Sequence, residues 1–243
     1  MILAIDSGNS RIKWGLHDGA KWSRAAEVER SDIESLEQAW QSLPAPARIV
    51  ACNVAGDIAQ ARIARLLSRW NVSPKWCVSQ KSQCGVENRY EDPAQLGADR
   101  WAALIGAWHL YHRACLVVNC GTALTVDALS GAGHFLGGAI APGFELMLQS
   151  LTQNTAGLKA EAGTFQDFPR STLDAIHTGA IAASVGVVAH MTSAMERTGH
   201  APQCCVVSGG NARLIKPHIA LAVKEVKHLV LEGLVRIALQ RTA

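Results

Sequence analysis

The sequence predicts an α/β fold in two lobes, each a mixed β-sheet flanked by helices. Three observations predict it. Short apolar runs of strand length alternate with amphipathic stretches of helical spacing along 243 residues. A Gly-turn pattern occurs once in each half, as AIDSGN at 4–9 and VVNCGT at 117–122. No Pro/Ser-rich linker divides the chain, so two lobes with a short connection fit better than beads on a string. The division is placed at 1–113 and 114–243, with one Gly-turn in each part.

The elements follow in order. Residues 2–5 and 12–16 read as strands joined through a Gly-Asn turn. A helix over 32–42 is signalled by Ile33, Leu36, Ala39 and Trp40, with Ser31 as its N-cap. Residues 48–53 form a buried strand, 58–70 a second helix and 76–78 a short strand. A polar loop over 79–93 is broken by Gly85. From Ala94 to about Tyr111 an amphipathic helix has Leu96, Trp101, Leu104, Ile105 and Trp108 on its inner side. Strands at 116–118 and 123–126 surround the second Gly-turn, and 131–143 reads as a strand pair and loop. Helices at 144–151 and 171–196 follow. A strand at 205–208, a Gly-Gly loop with a short helix, the segment 228–230 and a helix at 231–240 close the chain.

Composition narrows the function classes. The chain is 49% apolar, enough for a sizeable core. A net charge of +3, evenly spread, does not favour nucleic acid as a partner. The longest unbroken apolar runs fall short of the roughly 18 residues of a membrane span, so no membrane partner is expected. There is no basic leader with a small-residue cleavage site. Seven cysteines without framework spacing suggest reduced thiols in a cytoplasm. There is no CxxC pair, and His109 and His112 have no obvious third ligand for a metal.

Two stretches carry most of the chemistry. In DSGNSRIK, 6–13, Gly8 lets the backbone approach a ligand, Asn9 and Ser10 supply neutral donors, and Lys13 is a point charge suited to phosphate. Asp6 at a strand end suits a magnesium ion held through water. The same spacing fits a plain β-hairpin whose Asp6 caps the turn, and it is not a Walker loop. In LGADRWAAL, 96–104, Asp99 lies in the first helical turn and can accept a proton during phosphoryl transfer. Arg100 beside it can bind a carboxylate or carbonyl. A dipole-placed surface Asp with a salt-bridged Arg fits that spacing equally. Tyr90 is a substrate contact or a loop anchor. NCGTALTVD, 119–127, offers Thr122 to phosphate and ends on Asp127. The GGAIAPG stretch at 137–143 suits close packing on a ligand or partner. SGGNA at 208–212 suits a flat base against its backbone.

The ordered set DSGNSRIK, GADR, CGTALTVD, GGAIAPG, NTAGL (154–158), STLDAIHTG and SGGNA closely resembles type III pantothenate kinase, of the sugar kinase, Hsp70 and actin superfamily, over nearly the whole chain. The resemblance implies two ribonuclease H-like lobes with ATP in a cleft between them. It implies ATP-dependent phosphorylation of pantothenate to 4′-phosphopantothenate, the first step of coenzyme A synthesis. It makes Asp99 the proton acceptor. Tyr90, Gly97, Ala98, Arg100 and Thr172 then contact pantothenate. Asp6, Ser7, Gly8, Asn9, Ser10, Arg11, Ile12 and Lys13 form the first phosphate loop, with Thr122 in the second. Mg²⁺ accompanies ATP, Asp127 is similar to the ligand of a monovalent cation (K⁺ or NH₄⁺), and family members are homodimers. Seven Trp, more than one core of this size readily hides, agree with a buried interface. The chain departs from the superfamily at Asn119, where an acidic residue is common; this leaves Asp6 as the better metal-associated carboxylate. Two rivals are a kinase of another small hydroxyl compound in the superfamily and a non-catalytic regulatory accessory protein. Tyr90 with GADR argues against the first, and retained Asp99 and Lys13 against the second.

Overall fold

The computed structural model describes residues 1–154 and 163–240. Of the NTAGL stretch only Asn154 falls within the described residues. The chain divides into two compact units, one of Met1–His112 with the segment from His228 on, the other of Arg113–Lys227.

The first unit begins with β1 (Ile2–Ser7), β2 (Arg11–His17) and β3 (Trp22–Glu29), two successive antiparallel pairings. α1 (Ser35–Gln41), β4 (Arg48–Asn53), α2 (Asp57–Leu67) and β5 (Pro74–Trp76) follow. The sheet order is β3-β2-β1-β4-β5, with β4 and β5 parallel to their inner neighbours. A two-faced sheet sorts its side chains by alternation. Leu3, Ile5, Ile12 and Trp14 pack with Leu36 and Trp40 of α1 and Ile63 and Leu67 of α2. Asp6 therefore belongs to the opposite face.

The segment expected as a loop over 79–93 contains a hairpin, β6 (Ser82–Gln83) and β7 (Val86–Asn88). Its buried Gln83 accepts a 2.9 Å bond from the Trp101 indole, so the hairpin is pinned from a distant residue. α3 (Ala98–Tyr111) starts later than the pattern suggests. Asp92 caps a 3₁₀ turn over Pro93–Gln95, Leu96 is extended, and only then does the helix begin. Similarly, Ser31 falls within a 3₁₀ turn, and Glu34 is the residue that precedes α1.

The second unit repeats the strand pattern. β8 (Cys115–Cys120) and β9 (Ala123–Leu129) are antiparallel, as are β9 and β10 (His134–Pro142). The stretch read as a strand pair at 131–143 is thus one strand after a turn. α4 (Phe144–Asn154) and the long α5 (Thr172–Arg197) precede β11 (Cys204–Ser208), α6 (Ala212–Ile215) and β12 (Val223–Glu225). β11 is parallel to β8, and β12 to β11. Within the unit the order is β10-β9-β8-β11-β12, the same topology as β3-β2-β1-β4-β5. Its core joins Leu116, Val118, Val126 and Cys205 to Val188 and Met195 of α5. By length and apolarity α5 could cross a membrane, with under a quarter of its most apolar window buried; here it packs on β8, β9 and β10.

Two expectations are corrected. The C-terminal helix α7 (Leu229–Leu239) does not group with residues 114–227 but with the first unit, against α3, β1 and β4. Its face of Leu229, Val230, Leu231, Leu234, Val235 and Ile237 is apolar nearly all round, so it needs cover on several sides. The Trp argument for an interface also falls, because Trp14, Trp40, Trp70 and Trp101 are buried in the first unit's own core.

Candidate active site

In the first unit the site lies at the C-terminal ends of β1 and β4. The β1–β2 turn is closed by a 3.1 Å bond from the Gly8 N–H to the Arg11 carbonyl. Asn9 and Ser10 are exposed at its tip. Register places Lys13, Asp6 and Cys52 side by side across β2, β1 and β4. The next strand continues the row, for Ala51 pairs with Trp76 and the Cys77 N–H donates to the Ala51 carbonyl at 2.7 Å. Two of the loop residues expected to hold ATP turn away. The side chains of Ser7 and Ile12 face the α1/α2 core, leaving only their backbone to a ligand. The Arg11 guanidinium is held by Glu27 at 2.9 Å and Glu29 at 3.0 Å.

The electrostatics of this row are unusual. Burial pushes the Asp6 carboxyl up to about 6, with Lys13 opposing and Asp99 adding to the rise. Asp99 is raised too, by burial, while the Arg100 N–H (2.8 Å to Oδ1) and the Arg100 charge pull it down. Two carboxyls held above their ordinary range in one place mark a site built for proton or cation chemistry. The Cys52 thiol is pushed well above its ordinary value by burial and by both carboxylates, so it is a donor.

Asp99 is placed by the entry to α3. Gly97 is the N-cap, and a Cβ on it would lie 2.8 Å from Asp99 Oδ1. A side chain there would displace the carboxylate. Ser79 Oγ donates to the Leu96 carbonyl at 2.7 Å, fixing the residue before the cap. Arg100 is buried, and both its terminal nitrogens lie 3.3 Å from the Tyr90 hydroxyl. Tyr90 is in turn braced by Asn88, whose Oδ1 accepts the Tyr90 N–H at 3.0 Å and whose amide donates to the Pro93 carbonyl at 3.2 Å. Tyr90, Gly97, Ala98, Asp99 and Arg100 are thus brought together. Asn88 and Cys52 escaped the sequence reading. Asn88 carries no motif, and only strand register places Cys52 beside Asp6.

The second unit builds a different turn. The Gly121 N–H donates to the Ala123 carbonyl at 3.1 Å, and Thr122 is exposed. Two distant glycines close on it. The Gly143 N–H donates to the Thr122 carbonyl at 2.9 Å, and a side chain on Gly143 would collide with the Gly121 carbonyl. One on Gly209 would collide with Cys120. The three glycine stretches of this half therefore form one backbone-lined structure, suited to an anion. Asn119 sits in register with Thr125 and Ser208. Asp127 is 1% exposed, in register with Val117 and Gly138. Thr172 is exposed at the start of α5, next to Ser171, whose hydroxyl caps that helix by accepting the Asp174 N–H.

A divalent cation fits Asp6 on this structure's own terms. The carboxylate is 8% exposed and penalised by burial, and a cation there relieves that penalty. Among the described residues no three His, Cys, Asp or Glu groups converge as a metal cage. That suits a cation that keeps its waters and arrives with phosphate.

The type III pantothenate kinase family model matches residues 2–194. The chain is similar to the type III pantothenate kinase of Nitrosospira multiformis, 46% identical over 239 residues, covering 98% of this chain and 91% of that one. It is 45% identical over 241 residues to the type III pantothenate kinase of Nitrosomonas eutropha, covering 98% and 94%. Among solved structures it is similar to a Campylobacter jejuni protein assigned to the Baf family of transcriptional activators, with a TM-score of 0.63, 19% identity and coverage of 97% and 96%. It is also similar to the inorganic polyphosphate/ATP-glucomannokinase of Arthrobacter sp., with a TM-score of 0.51, 17% identity and 99% of both chains covered. At such identities these two likenesses concern the fold alone, that of the sugar kinases, Hsp70 and actin.

Proposed function

This chain belongs to the type III pantothenate kinase family, and from that premise we propose how its own residues transfer phosphate from ATP to pantothenate, giving ADP and 4′-phosphopantothenate. The observation that carries the reading is the Asp99 carboxyl. It lies half-buried in the first turn of α3, raised above its ordinary range, with Arg100 and Tyr90 beside it. A raised carboxyl is a better proton acceptor near neutral pH than an exposed one.

Pantothenate carries a carboxylate at one end and the reacting hydroxyl at the other. Arg100, steadied by Tyr90, holds the carboxylate, and Gly97 and Ala98 leave room for the substrate chain. Asp99 takes the hydroxyl proton as the oxygen attacks phosphorus. Lys13 and the backbone of the 6–13 turn bind phosphate oxygens, and Thr122 does so in the second Gly-turn. The family implies ATP with a divalent metal; we assign it as Mg²⁺ and Asp6 as the residue that holds it, through water. When bound, it supplies charge neutralisation on the phosphates. A monovalent cation, K⁺ or NH₄⁺, is assigned to Asp127.

The working unit is proposed as a cytoplasmic homodimer, in which Thr172 of one copy closes over pantothenate bound to the other. Support comes from α5, apolar yet little buried, and from exposed Phe168 (86%) and Ile140 (64%) in the same unit. All seven cysteines are free thiols, in keeping with a reducing compartment. A coupled ADP-release assay tests the activity: turnover is expected to require pantothenate and to rise with potassium. ADP release that ignores pantothenate contradicts it.

A further inference from the structure

The row across the first sheet contains one residue that the mechanism above does not use. Cys52 Sγ lies 3.4 Å from Asp6 Oδ1. The two residues are register partners on adjacent parallel strands, so their side chains leave the same face at the same level. Cys52 is 0% exposed, yet it is absent from the apolar cluster beneath α1 and α2, which takes its neighbour Ala51 instead. Its sulfur is therefore turned toward the carboxylate.

The terminal torsion of an aspartate is broad and nearly two-fold, so a carboxylate with no fixed partner presents either oxygen in many directions. A thiol is a weak donor. It can hold one oxygen in place without cancelling the negative charge, as a bound Arg or Lys would. With Oδ1 held by the thiol, Oδ2 is the oxygen free to face a cation. Cys77, the next residue along the row, points its sulfur at the Ala98 carbonyl, 3.9 Å away in the first turn of α3.

We infer that Cys52 is a positioning residue, which fixes the Asp6 carboxylate through Oδ1 and so dedicates Oδ2 to the divalent cation accompanying ATP. This rests on the reading of Asp6 as the cation-associated carboxylate. Cys52 itself touches neither nucleotide nor pantothenate.

Calorimetric titration of ATP at stepped Mg²⁺ concentrations, without pantothenate, tests both statements separately. Cys52→Ala is expected to raise the Mg²⁺ needed for half-maximal ATP binding by about 3- to 10-fold, the loss of one modest hydrogen bond. Pantothenate affinity is expected to stay at the wild-type value. Cys52→Ser, which restores a donor, is expected to bring the Mg²⁺ requirement back most of the way. In an Asp6→Ala background, Cys52→Ala is expected to add no further loss, because its effect passes through Asp6. If Cys52→Ala titrates like wild type while Asp6→Ala does not, Cys52 only fills space and the inference is overturned. A folded Cys52→Ser that binds no better than Cys52→Ala overturns it equally. If Asp6→Ala itself leaves the Mg²⁺ requirement unchanged, the assignment of Asp6 fails first, and the inference with it.

Discussion

The same place in the same strand order is filled very differently in the two units. At the end of β1 the row reads Lys13, Asp6, Cys52. At the end of β8 it reads Thr125, Asn119, Ser208. The first row carries two opposite charges, and the second is neutral. Both turns present a glycine N–H bonded back across the hairpin, so the backbone service is alike. What differs is the cost. A buried carboxylate raised to about 6 is a strained group in the empty fold, whereas Asn119, Thr125 and Ser208 impose no charge on their surroundings. A repeated scaffold can thus hold one turn for electrostatics and the other for backbone contact, and the residues that burden stability are those with chemical work to do.

The largest effect expected from this contrast is on Asp99, the second raised carboxyl of the first unit. Asp99→Asn keeps the size of the side chain but cannot take a proton. Turnover is expected to fall by about 10²–10⁴, with pantothenate binding by calorimetry little changed. Wild-type turnover in the variant would move the base elsewhere.

Asp6 gives the next largest effect, and its sign is opposite for stability. Its carboxyl sits at about 6 in the fold against an ordinary 3.8. Ionisation is therefore penalised in the folded state, and that stability is lost as pH rises from the ordinary value toward 6, then stays lost above it. Asp6→Asn removes the penalty. Urea unfolding of the protein without ligands is expected to show it more stable than wild type at pH 7.5 by about 3 kcal/mol, and nearly equal at pH 3.5. Equal stability at pH 7.5 would mean that the fold does not strain Asp6. No such gain is expected from Asn119→Ala, whose row has no charge to relieve.

A smaller effect separates the phosphate contacts of the two turns. Lys13→Ala removes a charge-assisted bond, about 1.5–3 kcal/mol, and Thr122→Ala a neutral one, about 0.5–1.5 kcal/mol. The KM for ATP is expected to rise by roughly ten- to a hundred-fold and by roughly two- to ten-fold respectively. Pantothenate binding measured alone should be unaffected in both. Equal effects from the two variants would erase the contrast between the turns.

Much of this contrast was legible in the sequence, because both Gly-turns and the GADR stretch are local patterns. The strand at 48–53 matched β4 in full, since a run of apolar residues on both faces marks a buried strand. β3 was missed because its exposed, charged edge alternates only weakly, and β12 because three edge residues carry no period. The β6–β7 hairpin turns through Cys84 and Gly85, both at positive φ, on strands too short to signal themselves. The grouping of α7 with the first unit depends on which surface covers an apolar helix, and chain order does not state that. At the site, Asp99, Arg100 and Tyr90 could be read from spacing. Cys52 could not, for its role exists only once β1 and β4 are laid side by side.

The central claim is that the charged row of the first unit, with Asp99, serves phosphoryl transfer to pantothenate. The most direct measurement is product stoichiometry by mass spectrometry after incubation of the protein with ATP, Mg²⁺, K⁺ and pantothenate. The account predicts one 4′-phosphopantothenate for each ADP, and neither product above background with folded Asp99→Asn. ADP formed without phosphopantothenate, or phosphopantothenate formed at the wild-type rate by Asp99→Asn, would contradict it.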